Sequence, residues 1–372
     1  MPVKFNSDDE RYMREAIALA VNGWGFTSPN PCVGAVLVKS RRVIGSGWHR
    51  RAGGPHAEVA AFHDAARQGS DVRGATLYVT LEPCSTTGKT PPCTDAILAA
   101  KLNRVVVAAK DPNPEHAGRG LQILRRAGVN VESGLLAAES ARLNEAFNHW
   151  IVHRTPFVTV KSAMTLDGKI ATASGDSKWI TGEAARRHAM NQLRRPADAI
   201  VVGINTILAD NPSLTYRGPG RARKRWLRIV LDTNARTPLT SNVVCAADAK
   251  NTLIVVGEAA SVNAVAALSE KVTVWQVAVR NNRIDLKKLV PKLGGEGVTS
   301  LLVEGGGEVN GQFLQQKLAH RIAFYFAPRI LGGRGSIAGV AGEDPKRMLN
   351  ALDVRDISCE MVGGDWFFTG LV

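Results

Sequence analysis

No stretch of this 372-residue chain approaches the ~18–20 consecutive apolar residues that a bilayer-spanning helix needs. The run from Ala199 to Ile204 is short and closed by Asp198 and Asn205. A basic and then apolar leader is also missing, because residues 1–10 carry Asp8, Asp9 and Glu10 where a secretion signal would be positive. These two absences predict a soluble cytoplasmic protein with no membrane partner. Cysteine is scarce: Cys32, Cys84, Cys93, Cys245 and Cys359 are an odd, sparse set that suits free thiols or metal ligands better than a disulfide framework. Hydrophobic residues at 45% and charged residues at 22% match an ordinary globular chain, which excludes disordered, collagen-like and low-complexity readings. No internal repeat is present, and the length predicts two domains.

What the chain has in excess is positive charge, +14 overall, with +4 in residues 1–150 and +10 in residues 151–372. Much of the second excess lies in Arg217, Arg221, Arg223, Lys224, Arg225 and Arg228, a run without an acid. Such a run suits a solvated loop, a nucleic acid or a phosphorylated ligand.

Ser7 followed by Glu10 reads as a capping box that opens a helix carrying Tyr12, Met13, Ala16, Ile17 and Ala20 on one face. A hairpin (33–38 and 43–48) follows, then a helix over 56–67, a strand over 76–81, a helix over 94–101, a strand over 104–109, and helices over 121–127 and about 135–147. The alternation predicts an α/β layered sandwich. Residues 149–156 separate it from a second alternating half, with strands near 157–163, 198–203, 227–231, 252–256, 272–276, 299–304 and 321–327. Helices are expected near 182–194, 258–268, 285–293 and 308–318, and the tail 357–371 predicts one or two antiparallel strands. The domains are therefore placed at 1–150 and 153–372.

His56-Ala57-Glu58 opens a helix, and Pro83-Cys84 and then Cys93 follow. One histidine and two thiolates leave the fourth tetrahedral position open, as a catalytic zinc requires. Zinc lowers the pKa of a bound water towards ~7, and a nearby carboxylate, here Glu58, can take its proton and pass it to a leaving amine. The order matches the zinc-deaminase signature H-x-E…P-C-x-x-C, although here eight residues, not two, separate the cysteines. Cys32, after Pro31, is either a competing ligand or a core thiol. The eight-residue insert supplies Ser85, Thr86, Thr87, Gly88, Lys89 and Thr90, which suit either a substrate phosphate or a solvated excursion.

In the second half, Lys161 to Lys169 runs from an apolar strand into an Asp167-Gly168 turn, and Ser177 to Thr181 precedes a helix. In Ser300 to Gly311 a buried strand ends in Gly305-Gly306-Gly307 and enters a helix. Backbone N–H groups and a helix N-terminus then converge as an anion cradle for dinucleotide phosphates, unless the glycines serve only tight strand-helix packing.

Pro29-Asn30-Pro31, His56-Ala57-Glu58, Thr80 to Ser85, Gly88 to Cys93 and Asp111-Pro112-Asn113-Pro114 resemble the deaminase half of the bifunctional riboflavin-biosynthesis deaminase/reductase family, in which the long Cys–Cys spacing is expected. The second half resembles its reductase half, most specifically in Asn205 to Thr215, and the two resemblances together cover about residues 8–370. The resemblance implies a cytidine-deaminase-like three-layer sandwich followed by a dihydrofolate-reductase-like domain, with Zn2+ and NADPH as cofactors. It implies zinc on His56, Cys84 and Cys93, Glu58 as proton shuttle, Asn30 and His49 on the pyrimidine or ribose, and Lys89 on the 5′-phosphate. Many members carry His where this chain has Thr86, so that phosphate contact is made differently here.

By the same resemblance Ala163, Trp179, Thr206, Asp210, Thr233 and Gly306, Gly307, Glu308, Val309, Asn310, Gly311 and Gln312 line the NADPH site. Ser177, Arg194, Leu214, Arg217 and Glu304 face the phosphoribosyl substrate, where arginine forks suit phosphate. Lys161, Asp210 and Glu304 are the candidates for positioning and proton supply. A homodimer or tetramer is expected. An RNA deaminase with a basic arm would explain the charge but would leave the glycine cradle and Lys161–Lys169 without a function. A zinc-stabilised nucleic-acid-binding protein would make Glu58 superfluous. The expected substrate is therefore a phosphorylated pyrimidine and not a nucleic acid, with Arg217 touching ligand and Arg221 to Arg228 mainly a solvated loop.

Overall fold

The structure, a computed structural model, describes residues 5–87, 91–114, 116–218 and 226–372. The chain divides into two compact units, Met1–Arg154 and Thr155–Val372. Among the described residues no helix is long and apolar enough to cross a membrane.

In the first unit, helix α1 (Ser7–Val21) is capped one residue earlier than expected. Asn6, not Ser7, is the cap: its Oδ1 accepts the Asp9 N–H (2.8 Å) and Asp9 Oδ2 accepts the Asn6 N–H (3.1 Å). The extended backbone of Asn6 lets its side chain reach back over the first turn, whereas Ser7 is already helical. Asp9 then serves twice, because its buried carboxylate also receives Arg104 and the Tyr78 hydroxyl, which ties the helix end to the sheet.

Strands β1 (Gly34–Lys39), β2 (Arg42–Trp48), β3 (Thr76–Leu81), β4 (Arg104–Ala109) and β5 (Asn130–Ser133) form one sheet in the order β2-β1-β3-β4-β5. The β1–β2 and β1–β3 pairs are antiparallel; β3, β4 and β5 run parallel. Helices α2 (Ala57–Arg67), α3 (Cys93–Ala99) and α4 (Arg119–Arg126) cover one face through Ala57, Ala61, Ala65, Ile97, Leu121 and Leu124. Helix α1 covers the other through Tyr12, Met13 and Ala16. This is the expected three-layer sandwich. Gly47 lets α2 approach: a Cβ there would fall 2.6 Å from the Ala61 nitrogen.

The helix expected over about 135–147 is two helices, α5 (Ala137–Leu143) and α6 (Glu145–His153), broken at Asn144.

The second unit holds a nine-stranded sheet. Seven strands are parallel, in the order Thr273–Val277, Thr252–Gly257, Leu227–Leu231, Ala199–Gly203, Ser300–Val303, Phe157–Thr165 and Arg321–Ala327; Asp365–Leu371 and Arg355–Val362 add antiparallel at the end. The antiparallel tail expected from the sequence is therefore present. Near-continuous apolar strands such as 199–203 and 252–257 are buried on both faces, as covered parallel sheets require. Helices Leu286–Gly295 and Gly307–Gln315 pack on one face, and Val262–Ser269 on the other.

Two expectations for the second unit are corrected. The helix near 182–194 is α-helical only over Glu183–Ala189; Met190–Arg194 opens into a π-helical turn that ends at Arg194. Arg228 is not part of a solvated loop. It lies within a central strand at 0% exposure and donates to Thr252 Oγ1 (3.0 Å) and the Asp248 carbonyl (2.8 Å), with Asp248 as counter-ion. A charge at an inward strand position is held by these partners. Arg221, Arg223, Lys224 and Arg225 lie outside the described residues.

Candidate active sites

In the first unit, His56 caps α2, Cys84 follows β3, and Cys93 opens α3, so three element ends meet beyond the carboxyl end of the central strand. Their donor atoms all lie within 4.8 Å of one another: His56 Nδ1 is 3.2 Å from Cys93 Sγ and 3.5 Å from Cys84 Sγ. One imidazole and two thiolates at this spacing fit tetrahedral zinc with one open position. A hydrogen bond from Cys93, aided by His56, holds the Cys84 thiol well below the ordinary thiol range, and ligation needs the deprotonated form. Cys32 is outside the cluster. It is buried, with Sγ 3.3 Å from Thr27 Oγ1, so of the two readings the core thiol holds.

Glu58, on the first turn of α2, lines a cavity of about 220 Å³ together with His56, Cys84, Asn30 and His49. Burial pushes its carboxyl above the ordinary range. His49 Nδ1 lies 3.0 Å from the Pro55 carbonyl and its Nε2 lies 3.1 Å from Asn30 Nδ2. A carbonyl can only accept, so Nδ1–H donates to it, and the Asn30 amide N–H donates to Nε2, which assigns the neutral tautomer. Burial lowers the His49 pKa in the same direction. Lys89 lies outside the described residues.

The cavity also takes in Asp111, Asn113, His116, Phe147 and Ile151, beyond the site residues expected from the sequence. Asp111 and Asn113 belong to the Asp111–Pro114 motif, which is a local signal; Phe147 and Ile151 carry none and arrive only through the placement of α6. Glu82 holds the Asp111 side of the wall: its two oxygens accept the N–H groups of Asp111 (3.2 Å), Gly118 (2.9 Å) and Gly120 (2.9 Å).

In the second unit, a cavity of about 480 Å³ opens at the carboxyl ends of the parallel strands, the place where α/β sheets bind ligands. Thr206, Asp210, Thr233, Gly306, Gly307, Glu308, Val309 and Gln312 line it, and Ser177, expected on the substrate, stands in the same wall. Gly306 caps the helix Gly307–Gln315, and no atom lies within 4 Å of where its Cβ would stand. Beneath it the helix is pressed against the chain: a Cβ on Gly307 would fall 2.2 Å from the Ala338 carbonyl, and one on Gly311 1.5 Å from that of Ala341. Both readings of the glycines thus apply, an open cradle at Gly306 and close packing at Gly307 and Gly311. The cradle and the cavity fit a dinucleotide.

Four residues expected on the cofactor are not brought to this cavity. Ala163 packs with Ala323 and Tyr325, Asn310 is buried and donates to the Gly339 carbonyl (2.8 Å), and Gly311 is buried. Trp179 is 67% exposed, with the Arg186 guanidinium 4.6 Å above its ring.

Arg194, expected on phosphate, spends its fork on protein: Nε and Nη2 donate to Glu304 Oε1 (2.8 Å) and Oε2 (2.7 Å), and Nη1 donates to the Thr215 carbonyl (3.1 Å). Burial alone would raise the Glu304 carboxyl, but the Arg194 and Lys161 charges override it and hold it down at about 2. Lys161, on the neighbouring strand, is pushed below the ordinary amine range by burial. Asp210 stands apart from this cluster, exposed at the cavity wall. Leu214 is a core residue whose carbonyl accepts Trp226 Nε1 (2.7 Å), and Arg217 is exposed.

A hydrolytic zinc site in a layered sandwich, followed by a dinucleotide-type cavity in a parallel sheet, defines a two-unit deaminase and reductase. Comparison with known proteins agrees. Residues 6–109 match the cytidine and deoxycytidylate deaminase zinc-binding region, and residues 156–368 match the RibD C-terminal domain. Riboflavin biosynthesis protein RibD of Actinobacillus pleuropneumoniae is 43% identical over 96% of this chain and 93% of its own length; that of Bacillus amyloliquefaciens is 41% identical over 98% and 96%. The solved structure of Acinetobacter baumannii RibD superposes with a TM-score of 0.85 at 35% identity, covering 98% of both chains. A Thermotoga maritima structure described as a diaminohydroxyphosphoribosylaminopyrimidine deaminase/5-amino-6-(5-phosphoribosylamino)uracil reductase superposes at 0.84 and 34% identity, covering 97% of this chain and 98% of its own. The chain belongs to the RibD family and is a bifunctional deaminase and reductase of riboflavin biosynthesis.

Proposed function

We propose that the first unit hydrolyses the C2 amino group of 2,5-diamino-6-(5-phosphoribosylamino)pyrimidin-4-one and that the second reduces the ribosyl group of the product with NADPH. The final product is 5-amino-6-(5-phosphoribitylamino)uracil. The observation that carries this reading is the placement of Glu58 beside three zinc-type donors in a cavity walled by Asn30 and His49.

His56, Cys84 and Cys93 would hold a zinc ion, which when bound supplies the Lewis acidity that makes water reactive at neutral pH. Glu58 takes the proton of the water that adds at C2 and returns it to the departing ammonia. Its raised affinity for a proton suits both transfers. Asn30 and neutral His49 orient the ring, and Lys89 takes the 5′-phosphate.

In the second unit Gly306 and the helix it caps would receive the dinucleotide phosphates, and Thr206, Asp210, Thr233, Glu308, Val309 and Gln312 would line the rest of its site. The cofactor supplies the reducing electrons. Lys161 is the residue that the family resemblance puts at the reacting sugar, where it would supply or orient a proton; the Glu304 carboxylate favours its charged form and the Arg194 guanidinium opposes it. Ser177 and Arg217 reach towards the phosphoribosyl group. The same reading includes a cytoplasmic homodimer or tetramer, which sedimentation of the purified chain and cell fractionation test.

Glu58→Gln tests the deaminase assignment. The variant should keep one zinc per chain and lose ammonia release by about 10²-fold or more, with reduction of the aminouracil unchanged. Retained deamination overturns the assignment.

A further inference from the structure

Asn144 stands where the expected helix is interrupted, and its side chain is bonded to a peptide 112 residues away in sequence. Its Oδ1 accepts the Cys32 N–H (2.7 Å) and its Nδ2 donates to the Cys32 carbonyl (2.9 Å). One side-chain amide thus reproduces the two-point pairing that strands make with backbone. At 4% exposure both bonds are shielded from water, so losing them would leave a buried N–H and C=O to be satisfied some other way.

The two segments joined by this clasp are two walls of the cavity in the first unit. On one side are Asn30, Pro31 and Val33, which flank Cys32; on the other are Phe147 and Ile151, on the helix that begins next to Asn144. Neither wall carries a zinc-type donor or Glu58, which sit on α2, behind β3 and at the start of α3. The clasp therefore governs the shape of the slot that receives the ring, separately from the groups placed for the chemistry.

We propose that Asn144 is a positioning residue for deamination: by holding the peptide of Cys32 against the start of α6, it sets the separation between the Asn30 wall and the Phe147 wall. It touches neither substrate nor metal. This inference rests on the reading of the cavity as the deaminase site. A slot of uncertain width binds the ring less well but leaves the reacting groups in place, so its loss raises KM more than it lowers kcat.

The test uses the full-length, zinc-loaded protein with Asn144→Ala, and Asn144→Asp, which keeps the acceptor for the Cys32 N–H. Ammonia release gives KM and kcat, metal analysis gives zinc per chain, and reduction of the aminouracil gives an internal control in the same molecule. The expected result for Asn144→Ala is a deaminase KM raised about tenfold, with kcat changed less than about threefold and zinc and reductase activity retained. Asn144→Asp, which keeps one of the two bonds but turns an acceptor towards the Cys32 carbonyl, should also raise KM with zinc and reductase activity retained, and if the alanine variant does not fold, the aspartate variant carries the same criteria. A KM unchanged in the folded variants overturns the proposal, as does a parallel loss of kcat and zinc, which would mark Asn144 as merely structural. Glu58→Gln separates the two claims: if it still releases ammonia, the reading of the cavity fails whatever Asn144 does.

Discussion

Arg194 and Glu304, 110 residues apart in sequence, close a two-point ion pair at 2.7–2.8 Å in which the side chains are only 14% and 11% exposed. Lys161 adds a second positive charge to the same carboxylate. Removing one partner from a buried pair strands the other charge and costs about 3–5 kcal/mol. Arg194→Ala should therefore destabilise the second unit by about that amount in urea unfolding and abolish reduction, while deamination continues. Arg194→Lys should recover only part of the loss, because an ammonium cannot reproduce the planar fork.

The same pair predicts how acid acts on the second unit. The Arg194 and Lys161 charges hold the Glu304 carboxyl at about 2, well below the ordinary glutamate range. A depressed carboxyl stabilises the fold above the unfolded pKa, and that stabilisation is lost as pH falls from about 4.5 towards about 2. Unfolding of the second unit, followed across this window, should show a slope that Glu304→Gln lacks. An identical slope in the variant would mean that other carboxyls carry the acid response.

Gly306 and Gly307 should respond differently to alanine. A Cβ on Gly306 meets no protein atom within 4 Å, so Gly306→Ala should leave stability within about 0.5 kcal/mol of the parent and weaken NADPH binding by occupying the cradle. A Cβ on Gly307 would meet the Ala338 carbonyl at 2.2 Å, so Gly307→Ala should lower both stability and NADPH affinity. Thermal unfolding with and without NADPH, together with a fluorescence titration of the dinucleotide, distinguishes the two. Equal destabilisation by both would contradict the open cradle.

Much of the fold was legible because its signals are local. The apolar runs at 199–203 and 252–257 read directly as strands buried on both faces, and the alternation of strand and helix gave the layers. The zinc-type cluster was legible for a different reason: ligation admits few residue types, so His56, Cys84 and Cys93 stand out in sequence, and the fold brings their donors together. What escaped notice depends on partners distant in the chain. Arg228 sits in a basic run and looks solvated until the strand 227–231 turns it inward onto Thr252 and Asp248. Arg194 looks like a phosphate clamp until Glu304 meets it. Asn144 looks like one residue of a helix, and only the peptide at Cys32 reveals why the helix stops there.

The most direct test of two chemistries on one chain is to incubate the purified protein with 2,5-diamino-6-(5-phosphoribosylamino)pyrimidin-4-one, with and without NADPH, and to identify the products by mass. Without NADPH the account predicts one ammonia per substrate and accumulation of the deaminated phosphoribosylaminouracil. With NADPH that compound should be replaced by its two-hydrogen-reduced ribityl form. Deamination that requires NADPH, reduction of the substrate before ammonia is lost, or no turnover by the zinc-loaded protein would contradict it.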